Sequence, residues 1–166
     1  MGMDKKIPDE SSFLRGIKVR LKTASPENRV NLIREAAGTP SFQSLLWELL
    51  EDPHEKARDY AVKELSGFDT VDRTLLNNKL HHPHWFVRCA ALKLLGKRND
   101  FFSPESMDPL LHDPNAEVRK TAAWTLGEMG GKESVKKLVR LTHDKNRFVR
   151  AQAEKALDKA SRLKFT

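Results

Sequence analysis

Apolar side chains recur along this chain at three- and four-residue steps, the spacing of a helix that buries one face. Val118, Ala122, Thr125 and Leu126 form the clearest stripe. Phe13, Ile17 and Leu21 form another, with Arg15, Lys18, Arg20 and Lys22 on its other sides. The first stripe belongs to a longer skeleton: Asp113-Pro114, Val118-Arg119, Ala122, Leu126-Gly127. Thirty-one residues later stand Asp144, Val149, Arg150, Ala153 and Leu157, and thirty-one earlier Pro83, Val87, Arg88, Ala91, Leu95 and Gly96. A further thirty back come Asp52, Pro53, Ala57, Arg58, Ala61 and Leu65. A fixed period of this length signals stacked helical units, each too poor in apolar surface to fold alone.

Within one unit, Asp113 is expected to cap the next helix and Pro114 to take its first position, where a missing N–H costs nothing. Gly127 is expected to end that helix in a left-handed conformation. The register predicts inner helices at about 54–66, 84–97, 115–128 and 146–161, and outer ones at about 70–81, 103–112 and 132–143. Ser11-Ser12, Ser25-Pro26 and Thr39-Pro40 open three more, at about 13–22, 26–37 and 41–50. The expectation is an all-α chain, a right-handed α-solenoid of about five helix pairs. Residues 1–10 read as a disordered tail and 11–166 as one domain, with units at about 11–38, 41–67, 70–98, 103–128 and 132–161. Asn31 stands where the repeat Arg would fall, so the first pair reads as a degenerate terminal unit.

At these residues the sequence resembles the HEAT-repeat family, in particular the short variety named after the phycobilin lyases, with the pattern D-P-x-x-x-V-R-x-x-A-x-x-A-L-G. The resemblance covers four units from Glu51 to Ala160. It implies a hydrogen-bonded ladder between adjacent repeats, carried by Asp52 and Arg58, Arg88, Asp113 and Arg119, and Asp144 and Arg150. His82 replaces the Asp of one unit, and Lys145 the Pro of another. The family consists mostly of scaffolds, so a binding function is expected rather than a catalytic one. Deoxyhypusine hydroxylase, a di-iron relative of the architecture, repeats a His-Glu pair. Here His54-Glu55 is followed by His84-Trp85, Asn115-Ala116 and Asn146-Arg147, so no metal set and no cofactor is expected.

The register also assigns surfaces. Lys63, Lys93, Trp124 and Lys155 share one position, well off the apolar stripe, and should line the inner, concave face as a row suited to an extended acidic ligand. The competing reading is that Trp124 packs across a groove between repeats. Charge is concentrated at the carboxyl end, where residues 132–166 hold eleven basic and four acidic side chains, a surplus equal to the net +7 of the whole chain. Lys132, Lys136, Lys137, Arg140 and Arg147 form the candidate basic patch there. A protein partner, acidic in character, is expected. The alternative is nucleic acid, bound by a relative of the HEAT-like alkylpurine DNA glycosylases whose aromatic and basic residues line the same groove.

His81, His112 and His143 fall at the ends of successive outer helices, too far apart to share a zinc and well placed for the helix dipole. The one cysteine, Cys89, reads as a small packed side chain. No apolar run approaches eighteen residues, and no apolar signal core follows Lys5-Lys6. No membrane association, a cytoplasmic location and a monomer are therefore expected.

Overall fold

The computed structural model describes residues 10–98 and 107–162. Of the expected tail, residues 1–9 lie outside the described residues, as do residues 103–106 of the expected helix 103–112, and Lys164. Among the described residues there are ten helices: α1 Glu10–Leu21, α2 Pro26–Glu35, α3 Phe42–Leu49, α4 Glu55–Ser66, α5 Arg73–Leu80, α6 Trp85–Arg98, α7 Asp108–Leu111, α8 Ala116–Met129, α9 Gly131–Leu141 and α10 Arg147–Arg162. The chain is all-α, of the α-solenoid class. It divides into two compact units, Met1–Ala61 and Val62–Thr166, with the boundary inside α4.

In the first unit α2 packs against both α1 and α3. Ile17, Ile33, Leu45, Leu46 and Leu50 are fully buried there, each stabilising the fold by about 1.5–3 kcal/mol. Ser25 caps α2 by accepting the Asn28 N–H, with Pro26 in its first turn, so this start is as the sequence suggests. Thr39 acts differently: its hydroxyl donates to Ala36 O at 2.8 Å, closing the turn after α2 rather than opening α3.

The second unit is a stack of pairs. Outer helices α5, α7 and α9 pack on inner helices α6, α8 and α10, and the inner helices pack on one another in order. Val87, Ala91 and Leu95, then Val118, Ala122 and Leu126, then Val149 and Ala153 are buried along successive inner helices. The Thr125 hydroxyl, also buried, lies 2.9 Å from Leu92 O and 3.0 Å from Thr121 O, joining α8 to α6. At the end of α6, Arg98 donates through Nη1 to Phe68 O and through Nη2 to Asp69 O, fastening the turn before α5.

Two sequence expectations are corrected. Asp113 does not cap α8 directly: its Oδ1 accepts the Asn115 N–H at 2.8 Å, and Asn115 Oδ1 accepts the Glu117 N–H at 2.8 Å. Two side-chain turns in tandem leave Pro114 before the helix and shift its start to Ala116. Nor does Gly127 terminate α8, for it lies inside the helix, and the terminal glycine is Gly130, with φ 65°. Gly127 answers a packing demand instead. A Cβ there would lie 2.8 Å from Ala156 Cβ and 3.1 Å from Ala156 Cα, so the bare backbone is what lets α10 come so near.

Candidate binding face

The repeat arginines and aspartates build a regular set of clamps. In the second unit Arg88 Nε and Nη2 donate to the two carboxylate oxygens of Asp113 at 2.7 and 2.9 Å, and Arg119 does the same to Asp144 at 2.8 and 3.0 Å. The remaining guanidinium nitrogen, Nη1, turns back to the start of its own repeat. Arg58, Arg88, Arg119 and Arg150 donate through it to Asp52 O, His82 O, Asp113 O and Asp144 O at 2.7–2.8 Å. Arg88 and Arg119 thus each fix their own turn and grip the next, in the fork geometry that makes such pairs strong and directional.

Each aspartate has a second task. Oδ1 of Asp52, Asp113 and Asp144 accepts the N–H two residues on, at 2.8 Å in every case. At His82, where no carboxylate is available, ring Nδ1 takes that N–H from His84 at 3.1 Å. In the first unit the residue aligned with the repeat arginine is Asn31, but Arg29 does the work, donating from Nη1 to Asp52 Oδ2 at 2.7 Å. The first unit thus carries a rung of its own, made by a long side chain two residues upstream of the aligned position.

These buried charges are matched to their partners. Hydrogen bonding from Arg119 holds the Asp144 carboxyl below the usual aspartate value, against burial that pulls it up, and the same bond raises Arg119. Burial pushes Asp52 upward, but the His54 N–H, Arg29 and the His54 ring together outweigh it, so its carboxyl too is lowered. Cys89 is buried, and burial raises its thiol, which leaves little thiolate to react.

The row at Lys63, Lys93, Trp124 and Lys155 divides. Lys93, Trp124 and Lys155 sit on the consecutive packed helices α6, α8 and α10, and Lys63 stands near the end of α4. Lys63 and Lys155 are exposed, whereas Lys93 and Trp124 are half-buried. The reason at Trp124 is specific: a Cβ on Gly96 would meet its ring at 2.7 Å, so the indole lies over a bare stretch of α6. It packs across the groove between repeats and shows solvent only part of its surface.

The basic patch also divides. Lys132, Lys136 and Arg140 are exposed on α9, with Lys136 held by Glu133 at 2.6 Å. Lys137 is corrected: it faces inward, is buried, and pairs with Asp108 of α7, so it ties two outer helices together. Arg147 lies on α10, its guanidinium 4.6 Å from the Phe148 ring centre. That ring is 56% exposed, and Trp85, at the start of α6, is 43% exposed. Trp85 stands edge-on to Phe86, which stacks on His84 at 5.1 Å. Phe86 and Phe148 share one repeat position, immediately before the repeat Val, so the same register that found Lys155 holds the signal for them.

Two of the histidines at the outer helix ends, His81 and His143, are fastened to backbone. Nδ1 of His81 lies 2.9 Å from Asn77 O and that of His143 3.2 Å from Val139 O, each four residues back along the chain. Among the described residues no three metal-ligating side chains converge, and no helix is long and apolar enough to cross a membrane.

Short helix pairs stacked on a common inner layer, with arginine clamps from α6 to the turn before α8 and from α8 to the turn before α10, define a helical repeat protein. The repeats are of the HEAT type: residues 80–158 match the family model for HEAT repeats, without distinguishing the phycobilin-lyase variety. Among curated proteins none matches the chain. An engineered protein solved by the Northeast Structural Genomics Consortium is 18% identical, with 89% of this chain and 79% of that one covered and a TM-score of 0.47, too distant a likeness to inform fold or function.

Proposed function

We propose that this chain is a non-catalytic binding scaffold for a protein partner of acidic character, engaged on the exposed side of the inner helices through Lys63, Lys93, Trp124 and Lys155. On this reading it works as a cytoplasmic monomer without a cofactor, and its repeats are of the short phycobilin-lyase variety. The observation that carries the reading is the clamping of those helices at their starts. Arg88 and Arg119 fix α6, α8 and α10 through bidentate bonds at 2.7–3.0 Å, so a ligand meets a surface that loses little freedom on binding. HEAT arrays in general offer such extended faces to partners. Trp124, wedged over Gly96, serves as a rigid apolar anchor, while exposed Lys63 and Lys155 supply charge.

A second reading, nucleic acid, is favoured by the α9 stripe, where Lys132, Lys136 and Arg140 are exposed at four-residue steps on one side of the helix. Anisotropy titration of labelled single- and double-stranded DNA at two salt concentrations separates the two. The scaffold reading expects weak or no binding at low salt. Micromolar binding that collapses with salt, is shared by unrelated sequences, and is lost in a Lys132→Glu/Lys136→Glu/Arg140→Glu variant would replace it.

A further inference from the structure

Resting on the scaffold reading, we infer that the partner is an extended acidic segment carrying two apolar side chains six residues apart. One is received at the Trp85–Phe86 corner of α6 and the other at Phe148 of α10. The sequence row named only positions further along the inner helices, whereas the exposed aromatic surface lies at their first turns. Trp85 and Phe148 are among the few large apolar side chains left exposed, at 43% and 56%; Phe148 sits beside the Arg147 guanidinium, and Trp85 stands edge-on to Phe86. Arg147 stacks on Phe148 at 4.6 Å, and Phe86 stacks on His84 at 5.1 Å. These rings have polar neighbours on one side and solvent on the other, the setting of an interface anchor.

Charge selects the chemistry of the segment between the anchors. Two of the acids on the inner helices are engaged, Glu117 with Lys120 at 2.5 Å and Glu128 with Lys159, while Glu154 and Asp158 of α10 are exposed. Lys97, Arg147, Lys155 and Arg162 are exposed and outnumber those two acids, which leaves the face net positive toward a ligand.

Geometry selects the spacing. α6 and α10 are two packing steps apart with α8 between them, about 16–20 Å at 8–10 Å per step. An extended chain covers that span in about five to six residues. Side chains of an extended segment alternate sides, so two anchors facing the same surface must be an even number apart, which leaves six. A polyproline-type segment, with three residues per turn, gives the same answer.

The test uses the full chain and fluorescein-labelled acidic peptides of fixed composition, with two leucines placed two, five or six residues apart, titrated by anisotropy. The six-residue peptide should bind at least about ten-fold more tightly than the other two. Phe148→Ser and Trp85→Ser should each remove that preference, and Lys155→Glu should weaken all three peptides; these positions are exposed, and circular dichroism will confirm that the variants keep their helices. If the spacings bind alike while Lys155→Glu still weakens them, the two-anchor inference is overturned and the acidic-partner scaffold stands. If no acidic peptide binds, the inference is overturned, and DNA binding in the companion titration would remove the scaffold reading with it.

Discussion

The clamp of the first unit and those of the second use the same two side chains in different ways. Arg119 spends three nitrogens on the ladder, two on Asp144 and one on Asp113 O, and both partners are less than a tenth exposed. Arg29 places one nitrogen on Asp52, sends Nε to Ala24 O of its own turn at 3.1 Å, and remains 22% exposed. Asp52 makes up the difference locally, by holding both the N–H and the ring of His54, at 2.8 and 3.1 Å. A rung inside the stack is thus a link between repeats, while the rung in the first unit is mainly a fastening of its own turn. The difference lies in how many donors cross from one repeat to the next.

The largest expected effect is at the interior rung. Arg119→Ala leaves Asp144 buried without its counter-ion and should lower unfolding free energy by about 3–5 kcal/mol, read from urea denaturation followed by circular dichroism. Arg29→Ala removes one charged bond from a partly wetted site and should cost about 1.5–3 kcal/mol. Equal losses at the two positions would break the distinction, because they would mean that the number of crossing donors does not set the strength of the rung.

How much of this was open to sequence reading depends on whether the repeat itself encodes it. Val118, Ala122 and Leu126 were legible as core because burial follows helical period, and Asp113 with Arg119 because their spacing recurs. Arg29 was hidden because a flexible side chain can reach the same carboxylate from a different position, so its role leaves no trace in the register. Gly127 misled for a related reason: glycine marks both helix ends and close approaches, and only the position of Ala156 on the next helix tells them apart. On the candidate face, Lys155 and Lys63 were read as exposed, but the burial of Lys137 depends on Asp108, in an outer helix whose alignment the repeat barely specifies. Phe148 was legible in principle and passed over, since a phenylalanine invites a core assignment.

Acid should separate the clamps from the core. The Asp144 carboxyl is held below its ordinary value of 3.8, so its contribution is fully present above that value and is lost as pH falls through the folded-state value. Asp52 is shifted in the same direction and behaves alike. Urea midpoints should therefore be flat from neutral pH down to about pH 5 and fall below about pH 4. Asp144→Asn should lower the neutral midpoint and flatten that acid limb. A variant whose limb is as steep as the parent's would show that the acid sensitivity resides elsewhere.

The smallest effect is the most discriminating. His54→Ala keeps the backbone N–H that Asp52 accepts and removes only a ring that is about half exposed, so the expected loss is about 0–1 kcal/mol. Combined with Arg29→Ala, the two changes should be non-additive, since both donors converge on Asp52 and each restrains the carboxylate for the other. A double-mutant cycle measures that coupling directly. A coupling near zero would mean that the ring is a bystander and the first rung is only a weaker copy of the interior ones. A coupling of about 0.5 kcal/mol or more would show that the first repeat has replaced a link to its neighbour with a fastening of its own turn.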